Sequence, residues 1–81
     1  MARYKLLITP SAVREIKAIP RKKVRRRITE RIRDLADDPR PPGCQKLSGR
    51  DRYRLRQGLY RIVYGIQDRS LIVCTITSSF L

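Results

Sequence analysis

Residues 52–64 carry the pattern that most restricts how this chain can fold. Basic and apolar side chains alternate along two short segments that meet at Gly58. Because successive side chains of a β-strand point to opposite faces, the arginines share one face and the apolar residues the other. The pattern predicts a β-hairpin with a core on one side and an anion-binding surface on the other. The arginine side holds Arg52, Arg54, Arg56 and Arg61, and the apolar side holds Tyr53, Leu55, Tyr60, Ile62 and Tyr64.

The first half of the chain predicts one strand and then two helices. Residues 4–8 form a short apolar run that indicates a strand. Thr9 is suited to the N-cap of a helix and Pro10 to its first position, and we expect Pro20 to end that helix or redirect it. A second helix is predicted over about residues 21–36. Its apolar stripe consists of Val24, Ile28, Ile32 and Leu35.

The second half of the chain predicts a meander of three strands. A proline-rich segment over about residues 37–51 is expected to be a loop, and strands follow at about 51–56, 59–66 and 71–77. The predicted order is therefore β-α-α-β-β-β. Two amphipathic helices can cover only one face of such a sheet. The sequence thus predicts a single α+β domain over residues 1–81, with two N-terminal helices packed on a small, largely antiparallel sheet.

The excess of basic over acidic residues limits the kinds of molecule that this protein is expected to bind. The 81 residues include 20 Lys and Arg against 7 Asp and Glu, a formal net charge of +13, and most of the basic residues are arginine. The planar guanidinium fork suits phosphates and carboxylates, so nucleic acid, an acidic protein, or both in turn are the expected partners. A simple basic RNA-binding module remains an alternative. No apolar run is long enough to span a membrane, and we expect a cytoplasmic protein without a membrane partner.

Histidine is absent, and Cys44 and Cys74 are the only cysteines. Their spacing is not that of a zinc site, and we expect no metal and no cofactor. The lack of histidine also removes the usual general base near neutral pH. Any catalysis must therefore use tyrosine, lysine, arginine or carboxylate side chains.

The predicted second helix is also rich in arginine. Arg25 and Arg26 belong to a run that also includes Arg27, with Glu30 and Asp34 interspersed further along. Two interpretations stay open for this run. It is either a solvated helix face or an electrostatic contact with RNA phosphates or an acidic partner.

Several segments of the chain resemble RelE-type toxins of the RelE/ParE superfamily. They are residues 4–12 as opening strand and helix start, Pro39 at the close of the second helix, Lys46-Leu47-Ser48-Gly49 and, above all, residues 53–64. The resemblance covers nearly the whole chain. It implies the RelE-like fold and the toxin component of a type II toxin–antitoxin system.

The resemblance further implies an activity and partners. RelE-like toxins cleave mRNA in the ribosomal A site, without a metal, by attack of the 2′-hydroxyl group on the adjacent phosphate. The implied partners are the ribosome, mRNA and an acidic antitoxin, with which the toxin forms a hetero-oligomer. The alternative is a gyrase-directed ParE-like toxin, or an inactive toxin that still binds its antitoxin.

Candidate site residues follow from the resemblance together with the strand pattern. The cations that act at the scissile phosphate correspond to Arg54, Arg56 and Arg61. Phosphoryl transfer needs such cations, because charge builds on the phosphate oxygens in the transition state. The alternative is that these arginines only hold antitoxin carboxylates. The candidate nucleic-acid-binding residues around them are Arg50, Arg52, Arg25, Arg26 and Lys46.

The sequence departs from the pattern of RelE-type toxins in two respects. Many ribosome-dependent members carry lysines on the first of the hairpin strands, and arginine is a poor proton shuttle because it keeps its proton. Family members also continue past the last strand with a basic element and a tyrosine, whereas this sequence reads to Phe80 and Leu81. Weak activity, lost activity and an altered C-terminal segment are the expectations that this second departure leaves open.

Overall fold

The computed structural model describes residues 4–47 and 51–78, which form two helices and five strands. The six predicted elements occur in the predicted order. The prediction that residues 37–51 form only a loop was wrong, because a two-residue strand lies within them. The elements are β1 (Lys5–Ile8), α1 (Pro10–Lys17), α2 (Lys22–Asp37), β2 (Gln45–Lys46), β3 (Arg52–Gln57), β4 (Tyr60–Gln67) and β5 (Ser70–Ser78).

The strands form one mixed sheet in the order β1-β5-β4-β3-β2. β1 pairs with β5 in parallel, and the other three neighbouring pairs are antiparallel. A register shift between Val63 and Tyr64 marks a bulge where β4 pairs with β5. With both helices packed on this sheet, the predicted two-layer α+β fold is confirmed.

The two helices begin and end for identifiable reasons. Thr9 caps α1 as predicted, since its Oγ1 accepts a hydrogen bond from the Ala12 amide at 3.2 Å. The helix ends at Lys17, three residues before Pro20. The Ile19 amide then donates to the Ile16 carbonyl, and this tight turn buries the Ile19 side chain. α2 begins after Arg21, which makes no capping hydrogen bond with its side chain.

The core lies between the sheet and α2. Ile28, Ile32 and Leu35, three members of the predicted apolar stripe, are fully buried. They belong to one cluster with the apolar side chains of β3, β4 and β5. This arrangement confirms which face of the hairpin points inward, and it leaves the opposite face of the sheet without a helix. The buried strand residues are Tyr53, Leu55, Ile62, Tyr64, Leu71, Val73 and Ile76.

The edge of β5 beyond β1 is covered by the start of α1. The Thr9 amide donates to the Val73 carbonyl at 3.1 Å, and Thr9 Oγ1 donates to the Cys74 carbonyl at 2.8 Å. Further along, the Glu15 carboxylate accepts from the Ile76 amide and from the Thr75 hydroxyl. These bonds satisfy backbone groups that an open edge would expose, and they hold α1 against the sheet.

Candidate anion-binding site

The uncovered side of the hairpin carries four arginines, here called the arginine face: Arg52, Arg54 and Arg56 on β3 and Arg61 on β4. In β3 these positions alternate with the buried Tyr53 and Leu55. Arg56 lies directly opposite Arg61 in the antiparallel register, and opposite residues of such a pair point to the same side. The arginines of the two strands therefore project from one surface, as the alternation predicts.

The spacing on this face suits a single small anion. Directly opposite residues have Cβ atoms about 5 Å apart, and alternate residues of one strand are about 7 Å apart. Arg54 is two residues from Arg56 along β3, and Arg61 faces Arg56 across the hairpin. Because an arginine side chain is longer than either separation, three guanidinium groups can reach one phosphate.

The hydrogen bonds of these arginines go to neutral groups. Arg54 Nη2 donates to the side-chain Oε1 of Gln45, and Arg56 Nε donates to the Gly58 carbonyl at 3.3 Å. Gly58 adopts a positive φ of 61° at the tip of the hairpin, a conformation that favours glycine. Across residues 4–47 and 51–78, no carboxylate forms an ion pair with Arg54, Arg56 or Arg61. Their positive charge is thus available to a ligand.

Gln45 is a site residue that the sequence did not reveal. It lies on β2, in register with Arg54, so that its amide oxygen holds the Arg54 guanidinium on the arginine face. The signal in the sequence is weak, since β2 is only two polar residues long after a proline-rich segment. Only the pairing of β2 with β3 places this side chain.

The charges of the arginine face oppose one another. Like charges directly opposite in an antiparallel pair are destabilising, and Arg56 and Arg61 form such a pair. A bound anion removes this repulsion and adds charge-assisted hydrogen bonds. The free protein therefore carries a small energetic cost that an anionic ligand relieves.

The other candidate residues are distributed over several parts of the fold. Arg25 and Arg26 belong to α2, which packs on the opposite face of the sheet. Lys46 is in register with Tyr53 and so shares the side of Tyr53, away from the arginines. Arg52 lies on the arginine face opposite Gly65. The remaining candidate, Arg50, lies outside the described residues.

The tyrosines of the hairpin face away from the arginines. The Tyr53 and Tyr64 rings stack at 5.7 Å within the core. Tyr64 donates its hydroxyl hydrogen to the Pro39 carbonyl at 2.7 Å, and burial raises the pKa of Tyr64 well above its ordinary value. Tyr53 accepts a hydrogen bond from Arg40 Nε at 2.9 Å, which raises the pKa of Arg40. These hydroxyls are engaged in the fold, so the arginine face supplies positive charge without a tyrosine beside it.

Metal-binding side chains do not cluster in the part of the chain that the structure describes. It contains no group of three or more His, Cys, Asp or Glu residues that could hold an ion. Cys44 and Cys74 are both half-buried free thiols. No helix within residues 4–47 and 51–78 has the length and apolar character needed to cross a membrane.

A family model described as the ParE toxin of a type II toxin–antitoxin system matches residues 6–78. No curated protein matches the sequence. Solved structures match over nearly the whole chain.

Three of these structures illustrate the likeness. A mutant of the Escherichia coli toxin RelE in the free state has 27% identity and a TM-score of 0.77, with 99% of this chain and 86% of that chain covered. The toxin–antitoxin complex RelBE2 from Mycobacterium tuberculosis has 22% identity and a TM-score of 0.80, covering 96% of this chain and 93% of that chain. The YoeB–YefM complex from Staphylococcus aureus has 21% identity and a TM-score of 0.73, covering 94% of this chain and 97% of that chain.

Proposed function

Because this chain belongs to the ParE toxin family of the RelE/ParE superfamily and is a toxin of a type II toxin–antitoxin system, we propose that it is a ribosome-dependent mRNA endonuclease. One observation carries the proposal. Arg54, Arg56 and Arg61 project from the same face of adjacent strands and have no carboxylate partner among the described residues. Such an arrangement suits the phosphate of an RNA backbone.

The proposed reaction is transfer of the phosphoryl group within the RNA strand. The 2′-hydroxyl oxygen forms a bond to the adjacent phosphorus, and the bond from phosphorus to the 5′-oxygen breaks. The 2′-hydroxyl gives up a proton and the departing 5′-oxygen gains one, which leaves a 2′,3′-cyclic phosphate and a 5′-hydroxyl end. Negative charge builds on the phosphate oxygens along the way, where fixed cations are most effective.

Each arginine has a proposed role in this reaction. Arg61 clamps the scissile phosphate, while Arg54 and Arg56 bind the backbone and stabilise the developing charge. Gln45 orients Arg54 through its hydrogen bond to the guanidinium group. Arg52, at the far end of β3, is placed to bind a neighbouring part of the same strand of RNA.

We propose that the activity depends on the ribosome, because the four described side chains of the arginine face are all arginines and none transfers a proton readily. A guanidinium group keeps its proton near neutral pH, and the Tyr53 and Tyr64 hydroxyls are engaged in the core. We therefore propose that the arginines supply electrostatic stabilisation, while the ribosome holds the mRNA in a reactive geometry. Naked RNA is then a poor substrate.

An acidic antitoxin is the proposed protein partner. Two of the solved structures described above are toxin–antitoxin complexes, RelBE2 and YoeB–YefM. In this chain a net charge of +13, with hairpin arginines that form no ion pair within residues 4–47 and 51–78, favours a partner rich in Asp and Glu. An antitoxin that covers the arginine face would block access of RNA to the cations.

A primer-extension assay on mRNA undergoing translation tests the proposed activity. Wild-type protein is expected to cut the mRNA on ribosomes and to leave naked RNA largely intact. Arg61→Ala should reduce the cleavage rate by about 10²- to 10³-fold, as for loss of one donor to a developing oxyanion. Arg26→Ala, which removes the same charge from α2, is the matched control. Equal cleavage by the wild type and Arg61→Ala would overturn the assignment of Arg61.

A gyrase-directed toxin is the second candidate, because the family model that matches is described as ParE. A supercoiling assay with purified DNA gyrase separates the two. Inhibition of gyrase together with intact mRNA in the primer-extension assay would favour this alternative. Cleaved mRNA with unimpaired gyrase favours the endonuclease.

A further inference from the structure

A shallow depression of about 520 Å³ adjoins the arginine face. The residues that line it include Gly65 on β4, Ile72 and Cys74 on β5, and Asp51 and Arg52 at the start of β3. Gly65 is in register with Arg52 on one side and with Ile72 on the other, so these three residues form a row across the sheet. The depression is thus continuous with the arginine face.

The glycine in the floor is not required by the backbone. Gly65 does not adopt a positive φ. A Cβ atom at this position would meet the Asp51 carbonyl oxygen at 3.6 Å and the Arg52 Cγ at 3.9 Å, which are ordinary contact distances. Glycine weakens a central strand, and there it often marks a bulge or a place where a ligand or another backbone approaches closely. A bulge lies between Val63 and Tyr64, and the Asp51 carbonyl lies near Gly65.

The lining of the depression combines a flat apolar floor with polar groups at the edge. The backbone at Gly65 and the side chain of Ile72 offer a surface for a planar ring. The Arg52 guanidinium can donate hydrogen bonds to the edge of that ring. Proteins that recognise single-stranded RNA stack its bases on flat side chains, the arginine guanidinium plane among them, and form hydrogen bonds to the ring edges. In this depression Arg52 is the side chain of that kind.

The depression also lies at a suitable distance from the phosphate site. Val63 is opposite Arg54, and Gly65 is two residues further along β4 on the same face. This step corresponds to about 7 Å. A nucleotide whose phosphate is held by Arg54 can therefore place its base above Gly65.

We propose that the depression over Gly65 binds one nucleobase of the RNA whose phosphate occupies the arginine face. This inference rests on the proposed function, because it takes the anion to be an RNA phosphate. It adds a source of base preference, since the Arg52 guanidinium favours bases that present hydrogen-bond acceptors on their edges. It also assigns a role to Gly65, which the phosphate site leaves unexplained.

The test compares ligands with and without a base. The wild-type protein is titrated with the four nucleoside 5′-monophosphates and with ribose 5-phosphate, and amide chemical shifts are followed by NMR. At least one nucleotide should bind about fivefold or more tightly than ribose 5-phosphate, because stacking of one base has this order of magnitude. The Gly65 and Ile72 amides should shift with the nucleotide and not with the sugar phosphate.

Two variants and a control separate the base site from the phosphate site. Gly65→Val fills the depression and should remove the advantage of the nucleotide while leaving the affinity for ribose 5-phosphate unchanged. Arg54→Ala should weaken both kinds of ligand alike. Thr77→Val, on the same face but outside the depression, should change neither.

The outcomes distinguish this inference from the proposed function. Equal binding of nucleotides and ribose 5-phosphate by the wild-type protein would contradict the proposed base site and would still agree with the proposed phosphate site. No binding of any phosphate would overturn both. Shifts of Gly65 and Ile72 with an acidic peptide and with no nucleotide would assign the depression to a protein partner instead. Because these titrations use the wild-type protein, they test the proposal even if Gly65→Val does not fold.

Discussion

Two parts of the described chain are rich in arginine, and they present these side chains in different ways. On α2 successive residues are rotated by about 100°, so neighbouring arginines fan out around the helix axis. On β3 every second residue returns to the same side, and the pairing with β4 adds Arg61 opposite Arg56. The comparison shows that the repeat of side-chain direction along a strand or helix, and not the number of arginines, decides whether the positive charges share one surface. The α2 group comprises Arg25, Arg26, Arg27, Arg31 and Arg33.

The surroundings of the two groups differ as well. On α2, Glu30 and Asp34 are interspersed among the arginines, which dilutes the positive potential of that helix face. On the arginine face, the hydrogen bonds of Arg54 and Arg56 within the described part of the chain go to neutral oxygens. The sheet therefore presents concentrated charge, while the helix presents a mixed surface.

Matched removal of three charges from each region gives the largest expected effect. The triple substitution of Arg54, Arg56 and Arg61 by alanine should weaken binding of a short RNA by more than about 100-fold, since each charge-assisted bond contributes about 1.5–3 kcal/mol. The same substitution of Arg25, Arg26 and Arg27 should weaken it less than tenfold. Fluorescence anisotropy measures both affinities. Equal losses would show that net charge alone drives binding.

The salt dependence of RNA binding provides a second test of the difference between the arginine face and the α2 arginines. Each lost phosphate contact lowers the slope of log K against log salt by about 0.7 for a single strand. Because the three arginines act on one phosphate, the sheet variant should lose about 0.7 units of slope. The helix variant should keep nearly the wild-type slope. Titrations at several salt concentrations provide this measurement, and a larger loss of slope in the helix variant would reverse the assignment of the two regions.

Arg31 on α2 is expected to lower the stability of the fold. Its Nε is buried and has no hydrogen-bond partner among the residues that the structure describes, and an unsatisfied buried donor is unfavourable. Arg31→Met keeps an unbranched side chain as far as the position of Nε and replaces that donor by a methyl group. The free energy of unfolding should rise by about 1 kcal/mol, as measured by urea denaturation. Arg33→Met, at an exposed position of the same helix, is the control and should change it little. A loss of stability in Arg31→Met would contradict this account.

The smallest expected effect concerns the repulsion between Arg56 and Arg61. Arg56→Gln removes one of the two like charges, so the free protein should be stabilised by about 0.5 kcal/mol. With saturating phosphate the difference should disappear or change sign, because the wild type gains more from the anion. Urea denaturation with and without phosphate makes this comparison. Unchanged stability of Arg56→Gln in both conditions would mean that the two charges do not interact.

Most of the fold could be predicted because its signals are local. The Thr9-Pro10 pair marks the start of α1, and the strand alternation over residues 52–64 assigns the core face of the hairpin correctly. The short strand β2 was missed because Gln45 and Lys46 have no alternating pattern of their own. Its formation depends on pairing with β3, which is a tertiary interaction.

The candidate site likewise combines features that local sequence patterns predict with features that depend on tertiary pairing. The common side of Arg54, Arg56 and Arg61 follows from strand periodicity and hairpin pairing. The contribution of Gln45 and the side of Lys46 depend on the register of β2, which nothing in the local sequence determines. The depression over Gly65 depends on three strands at once, so a sequence pattern could not indicate it.

The central claim is that three guanidinium groups bind one anion together. NMR of the arginine side-chain Nε–H groups during titration with inorganic phosphate tests it most directly. The account predicts that the signals of Arg54, Arg56 and Arg61 shift together with a single dissociation constant while those of the α2 arginines stay in place. Unequal dissociation constants for the three, or equal shifts of the sheet and helix arginines, would contradict it.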